Sequence, residues 1–506
     1  MNVFSLHKPI RNKLRKYHRD TTLKIIMPLL LQNEMNVPHF NGYLPWECML
    51  LIRWVLQYGN THTNAKEPSL SIVKEILNEI RSLTDSPDLA LDVTNPYGVH
   101  KFMRRTAFQQ FTYQMQISEM GWRTGRQLIL FTEIGENFNV NHSFKKETGL
   151  SIKEFLQMSL ALFSILQANE TDSIKATSLH SIFDKTKVQR FFDLISVSPE
   201  EAKIFLDNDA KNKQPYFILQ LYELSPLYMK PFLRLGEYYT VFSKRLFRQF
   251  MANFVYDFLY SLPDSFNSFG DILERYIRVR IEECGFNPVL DKTWKKILKK
   301  SISAPDFTLS EENATIFIEV KRKHLPEIPK IIQSNDSFSR HLDDSIVKGV
   351  IQIYSLANEL VNQKPNQINN FENFFGIVVT YKDDYLRGGQ QFWDEFLRDQ
   401  VTARLKDKDI DPYIIPPENI FVLPVDDIDY LLAFILDYPD KKISEVLKQV
   451  IEYEADVNRS SFFFRDHLSR MSKSGLSRPN HLWNKTKNMM DELTQKMQNF
   501  ENNHRK

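Results

Sequence analysis

The sequence predicts a multidomain chain: a mostly α-helical N-terminal region, then a C-terminal α/β domain built on a small mixed sheet. Three observations carry this. The chain has 506 residues, enough for several domains of about 100–200 residues each. Glycine is scarce, with 15 residues against 38 Phe and 20 Tyr, where an ordinary chain has about 7 % glycine. Few glycines and many large side chains suit helices with short connections. Finally, near Pro226 the apolar spacing changes from a helical repeat to helices alternating with strands.

Between residues 13 and 228 the pattern is helical. Pro45 opens a segment over 46–56 with apolar residues three and four apart. Further helices are expected over 69–83 and 102–120, then over 127–133 after a break at Gly121–Gly125, and over 152–168, 178–194 and 199–206. No fixed internal period appears, which excludes a repeat solenoid. Residues 230–241 read as a hairpin turning at Leu235-Gly236-Glu237, and 244–262 as a helix stopped by Pro263-Asp264. Next come a helix over 272–284, strands over 305–309 and 315–321, a helix over 343–361, and a strand over 374–381. A helix over 390–405, a strand over 420–424 and a helix over 428–436 complete the α/β pattern. Past about 441 the chain is helical and then polar, with a frayed end expected. The expected domains are 1–240, 241–440 and a tail over 441–506.

Charge and cysteine content exclude several classes. With 65 basic and 63 acidic residues the net charge is +2, so affinity for a polyanion must come from local patches. The two cysteines, Cys48 and Cys284, stand far apart. That excludes a disulfide scaffold and a Cys-rich zinc site, and suits the cytoplasm. The apolar stretches at 25–31 and 49–56 are too short for a bilayer, which takes about 20 residues, so no membrane partner is expected. Lys8, Arg11, Lys13, Arg15, Lys16 and Arg19 precede the first acid, Asp20. A basic amphipathic helix accounts for them better than a targeting segment, because no signal-peptide apolar core is present.

One window carries chemistry: Ala304-Pro305-Asp306-Phe307, and Thr315-Ile316-Phe317-Ile318-Glu319-Val320-Lys321. Two antiparallel strands joined by the turn between them place Asp306 and Glu319, 319 − 306 = 13 residues apart, close in space. Alternation puts Phe317, Glu319 and Lys321 on one face; Ile316, Ile318 and Val320 take the other, expected to be the core face. Mg²⁺ takes hard oxygen ligands, which Asp306, Glu319 and the Val320 carbonyl supply, and Mn²⁺ can replace it. Lys321 is placed to offset charge developing on a phosphate.

These residues resemble the PD-(D/E)XK nuclease superfamily, with its restriction-endonuclease-like fold. The motif stands here as Pro305-Asp306 and Glu319-Val320-Lys321. The segment Phe269-Gly270-Asp271-Ile272-Leu273-Glu274-Arg275-Tyr276 is similar to the family's first helix, whose glutamate faces the metal; Lys348-Gly349-Val350-Ile351-Gln352-Ile353-Tyr354 is similar to the helix that supports the site. The resemblance covers about 245–440. It implies a catalytic set of Asp306, Glu319, Lys321, Glu274 and Gln352, and Mg²⁺-dependent phosphodiester hydrolysis, of DNA more than RNA. A looser resemblance is to bacterial antiviral-defence effectors with a helical N-terminal region, where residues 1–240 would sense a trigger, bind a protein partner or form a homo-oligomer.

Weighed against this is an exposed hairpin with a solvated Glu–Lys pair of little energetic value, or a non-catalytic nucleic-acid-binding or scaffold protein on a degenerate form of the same fold. No zinc or phosphate-loop spacing occurs. The basic residues Lys295, Lys296, Lys299, Lys300, Arg322 and Lys323 are the candidate nucleic-acid contacts. Replacing Lys295, Lys296, Lys299 and Lys300 with Ala is expected to weaken binding across sequences and to flatten its salt dependence. For each phosphate no longer neutralised, the log–log slope should fall by up to about 0.9. Filter binding or anisotropy across a salt series reads this slope directly.

Overall fold

The computed structural model describes residues 3–35, 42–84, 98–114, 117–169, 171–213, 219–262, 268–299, 302–322, 325–332, 335–386, 388–456 and 458–504. It is mostly helical, at 66 %, with two small mixed sheets. The chain forms two compact units, Met1–Ser265 with Leu482–Lys506, and Phe266–His481. These bounds differ from the expected division at 240 and 440. The reason is packing: residues 441–481 belong with the second unit, and the last helix belongs with the first.

In the first unit, α1 (Pro45–Tyr58), α2 (Ile152–Ala168), α3 (Pro199–Asn212) and α4 (Lys244–Tyr260) are the principal helices. The expected stop of α4 at Pro263-Asp264 lies outside the described residues. α2 and α3 each begin with a reciprocal cap. Glu154 N–H donates to Ser151 Oγ at 3.2 Å while Ser151 N–H donates to Glu154 Oε2 at 2.9 Å, and Ser198 with Glu201 repeats the pattern. The phenylalanine excess becomes an aromatic core: Phe155 stacks on Phe254 at 4.8 Å between ring centres, and Phe250 lies 4.5 Å from Phe254 along α4. At the start of α4, Glu34 accepts from Ser243 Oγ and from Lys244 N–H at 2.7 Å, so an acid from another helix caps it.

The expected hairpin is present, but within a sheet. Strands β1 (Ser173–Lys175), β2 (Ser196–Val197), β3 (Phe232–Leu235) and β4 (Tyr238–Val241) run in the order β1-β4-β3-β2, with only β2–β3 parallel. β1 has three residues and β2 two, too few to show a period of two against the helical background.

The second unit holds the other sheet: β5 (Val289–Leu290), β6 (Phe307–Ser310), β7 (Thr315–Lys321), β8 (Phe374–Thr380) and β9 (Ile420–Pro424), in that spatial order. β5–β6 and β6–β7 are antiparallel; β7–β8 and β8–β9 are parallel. Helices α5 (Phe269–Glu283), α6 (Lys348–Gln363) and α7 (Val425–Asp437) pack on it. Both faces of β7 are covered, in contrast to the one-sided strand expected. Phe317 is 0 % exposed in the cluster with Val350, Ile353 and Val378, so the face that carries Glu319 is also a core face. A parallel neighbour connected by a crossover helix buries a strand on both sides, which excludes the exposed-hairpin alternative.

The final helix, α8 (Asn480–His504), carries helix to the end of the described residues, and the last two positions of the expected frayed end lie outside them. From Leu482 it belongs to the first unit and buries Leu482, Met489 and Leu493. Its seat explains Gly121 and Gly125. The helix Ile117–Leu128 runs through both rather than breaking, and a Cβ would stand 2.1 Å from Trp483 Cζ3 at Gly121 and 2.0 Å from the Leu482 carbonyl at Gly125. The two glycines, one helical turn apart, allow close approach; they do not interrupt the helix.

Among the described residues no single helix is long and apolar enough to cross a membrane. The basic N-terminal segment forms the helix Val3–Leu14, and Lys13 pairs with Glu75 at 2.5 Å and Glu79 at 2.6 Å.

In the second unit Glu311, from the β6–β7 turn, accepts from Ile443 N–H at 2.9 Å and Ser444 N–H at 3.1 Å, capping the helix Ile443–Ala455. Glu311→Ala strips two buried N–H groups of their acceptor and is expected to cost about 1–3 kcal/mol, seen as a lower melting temperature. Glu311→Gln, which keeps an acceptor oxygen, should recover part of the loss.

Candidate active site

The register of β6 and β7 sets two acids side by side. Phe307 pairs with Ile318 and Thr308 with Phe317, so one step further Asp306 falls opposite Glu319. The main chain fixes this arrangement. Asp306 N–H donates to Glu319 Oε2 at 3.2 Å, and Val320 N–H donates to Asp306 Oδ2 at 2.7 Å. Each carboxylate thereby grips the backbone of the other's strand.

Lys321 shares the face of Glu319, as alternation requires. Its Nζ donates to Glu319 Oε1 and, at 3.0 Å, to Gln352 Oε1 on α6. Gln352 Nε2 in turn donates to the Ala304 carbonyl at 3.3 Å, two residues before Asp306. The side chains of Glu319, Lys321 and Gln352 thus link two main-chain groups, Asp306 N–H and the Ala304 carbonyl, in a circuit from the start of β6 to β7 to α6 and back.

Above Asp306, Val320 and Lys321 opens a cleft of about 260 Å³. α5 contributes Asp271 and Glu274 to its wall, Arg322 stands at the end of β7, and Asp344 and Ser345 come from the other side. The last two lie in a π-helical turn, Asp343–Val347, that leads into α6; such turns recur at functional sites.

The electrostatics are those of crowded acids. Burial, followed by the nearby Asp306, Asp291 and Asp271 charges, pushes Glu274 up to about 7. Glu274 makes no hydrogen bond or ion pair among the described residues. Glu319 is 3 % exposed. Burial first and Asp306 second raise it, against the downward pull of Lys321. Asp306 is raised by burial, which outweighs the Val320 N–H and the charge of Lys321.

The donor chemistry of the cleft floor fits a divalent cation that is only partly held by protein. Among the described residues no three or more His, Cys, Asp or Glu side chains are grouped to hold a metal. What the site does provide is the Asp306 carboxylate and Val320 at the cleft, with its carbonyl, and the buried Glu319 carboxylate, hydrogen-bonded to Asp306 N–H. That set suits Mg²⁺, which typically takes one or two carboxylates and keeps its other positions for water and phosphate. Both Glu319 oxygens already accept hydrogen bonds, yet a carboxylate has about four lone-pair sites, so room for a cation remains. The part of the rise in Glu319 and Glu274 that comes from neighbouring acids, second to burial, is what a cation would relieve.

Lys295 and Lys296 occupy the exposed side of the helix Asp291–Ile297, and Lys299 follows it, also exposed and at φ 50. On the opposite side Trp294 is buried and donates from Nε1 to Thr308 Oγ1 at 2.9 Å. Lys295 pairs with Asp291 at 2.9 Å. Asp291 N–H donates to the Asp306 carbonyl at 3.3 Å, so this helix is tied to the candidate site. Lys300 and Lys323 lie outside the described residues.

Sequence reasoning did not single out Asp344, Ser345 or Gly349. The π-turn has no sequence signature that would reveal the first two. Gly349 has one, since a glycine inside a helical pattern costs about 1 kcal/mol against Ala and so asks for a packing reason.

A carboxyl raised to about 7 favours the fold most below its ordinary value of 4.5. That contribution is lost as pH rises through 7, because the folded state must then carry an ill-solvated charge. In metal-free protein Glu274→Gln is therefore expected to melt close to wild type near pH 4.5 and increasingly above it toward pH 8. Melting curves across that range check the sign. Comparison with protein families, with curated proteins and with solved structures finds no match to this chain.

Proposed function

We propose that the unit Phe266–His481 is a divalent-metal-dependent nuclease of the PD-(D/E)XK, restriction-endonuclease-like kind, which hydrolyses phosphodiester bonds in nucleic acid, DNA before RNA. The observation that carries the reading is the hydrogen-bonded chain from Asp306 N–H through Glu319 and Lys321 to Gln352, beside a cleft lined by Asp306, Lys321 and Glu274. Of the five residues spread over 274–352, Glu274, Asp306 and Lys321 line the cleft, and Glu319 and Gln352 hold Lys321.

A cation held by Asp306, Glu319 and the Val320 carbonyl would supply Lewis acidity toward the scissile phosphate and lower the pKa of a water. The remaining work belongs to the chain. Lys321, anchored through Gln352 to the Ala304 carbonyl, holds a positive charge at the floor of the cleft, where a phosphate gains negative charge in the transition state. Glu274, raised to about 7 in the metal-free protein, lines the same cleft and is the carboxyl placed to take part in the proton movement that such hydrolysis requires. Arg322 at the cleft wall and the exposed Lys295, Lys296 and Lys299 hold the flanking backbone by charge, without regard to sequence.

The non-catalytic alternative has one observation in its favour: Lys321 and the Asp306 N–H together engage both oxygens of Glu319. A binding module would retain the circuit and the basic surface but hydrolyse nothing.

Cleavage of plasmid and of single-stranded DNA and RNA, with and without Mg²⁺, separates the two. Asp306→Asn and Glu319→Gln keep side-chain shape and remove ligand charge, so Mg²⁺ affinity and cleavage should fall together. Lys321→Ala should retain Mg²⁺ while turnover drops by about 10²–10³. Nucleic-acid binding should survive all three. Full cleavage by any of these variants, or none by wild type with Mg²⁺ or Mn²⁺, overturns the proposal.

A further inference from the structure

α6 comes closest to β7 at Gly349. A Cβ at that position would lie 3.1 Å from Lys321 Cε, 3.1 Å from Glu319 Cγ and 3.5 Å from Val378 Cγ2. The first two distances are tighter than side chains comfortably adopt, and both belong to groups of the candidate site. The glycine is not needed for backbone conformation, because it lies within the helix and is not among the positive-φ residues. Three residues along α6, Gln352 Oε1 accepts from Lys321 Nζ at 3.0 Å. Positions three apart share a helix face. The stem of Lys321 therefore passes over Gly349 while its ammonium is held by Gln352 and Glu319.

We infer that Gly349 is a positioning residue for Lys321: its missing side chain forms the slot in which the lysine stem lies, and so sets where the ammonium meets the substrate phosphate. This rests on the nuclease reading of the same site. It adds that the aim of Lys321 is set by a glycine that touches neither metal nor substrate. Glu319 holds the amine on one side and Gln352 on the other, and both bonds require the stem to stay against α6. A methyl group at 349 forces the stem to give by a few tenths of an ångström, which strains its bond to Gln352. The bond from Val320 N–H to Asp306 Oδ2 involves neither of the crowded side chains.

The test is Gly349→Ala in the full-length chain, with three readouts. Alanine favours helix over glycine, so the melting temperature should hold or rise. Glu319 Cγ stands as close to the added methyl as Lys321 Cε does, so Mg²⁺ affinity by calorimetry reads displacement of the ligand separately. It should stay within about twofold while kcat at saturating Mg²⁺ falls about tenfold, as for a small misplacement of a catalytic group, and a larger loss of affinity would overturn the assignment to Lys321. Independently of activity, acylation of Lys321 followed by peptide mapping should be faster in the variant, because the amine loses the grip of Gln352. A Lys321→Ala background supplies the control: there Gly349→Ala should have no further effect on cleavage. Unchanged kcat and unchanged Lys321 labelling would overturn the inference and leave the nuclease reading intact. An equal loss of cleavage or melting temperature in both backgrounds would mark a packing role alone and also overturn it. If wild type does not cleave at all, the nuclease reading fails, and the labelling contrast still decides whether Gly349 seats Lys321.

Discussion

The buried Glu319 carboxylate is the group on which the organisation of the second unit turns. Stripping water from an ionised carboxylate costs several kcal/mol unless hydrogen bonds and opposite charge replace the lost hydration. The replacements are specific: the Asp306 N–H from β6, the Lys321 ammonium two residues along β7, and Gln352 acting through Lys321 from α6. Because each partner sits on a different element, the acid ties together the β6–β7 register, the packing of α6 and the position of the cleft. A slip of β6 by one residue would turn Asp306 away and leave Glu319 without its backbone donor.

The compensation is incomplete, and the shortfall has chemical value. Glu319 and Asp306 remain raised despite their partners, and Glu274 on α5 is raised without any hydrogen-bond partner among the described residues. A fold optimised only for stability would neutralise such a group or replace it with an apolar one. Two buried acids elsewhere are well supplied with hydrogen bonds. Glu34 and Glu311 are both buried, yet each accepts main-chain N–H groups at the start of a helix remote in sequence. Negative charge suits that end of a helix, so these two acids hold structure together. Asp306 and Glu274 instead line a cleft with their carboxyls raised, an arrangement of the kind found at functional sites.

The strands at 315–321 and 420–424 and the helix at 152–168 were legible to the residue, because each is a long apolar pattern with clear punctuation. The proximity of Asp306 and Glu319 was legible too, since a short turn between two strands fixes register by counting. Other features were not. Gly121 and Gly125 read as a break because composition cannot distinguish a glycine that ends a helix from one that admits another helix against it. Polar composition likewise concealed α8, whose buried residues Leu482, Met489 and Leu493 are spaced seven and four apart within a charged sequence.

The sequence by itself determined the element types, the change from helical to mixed texture and the pairing of Asp306 with Glu319. All of these follow from local periodicity and from short loops, whose geometry depends only on neighbouring residues. Tertiary structure alone decided that both faces of β7 are buried, that Gln352 reaches Lys321, that Gly349 is the slot between them, and that residues 482–506 join the first unit. Each of those depends on elements far apart in the chain being brought to within a few ångströms. The balance of burial, charge and steric fit at such places is a property of the packed whole, and no stretch of sequence contains it.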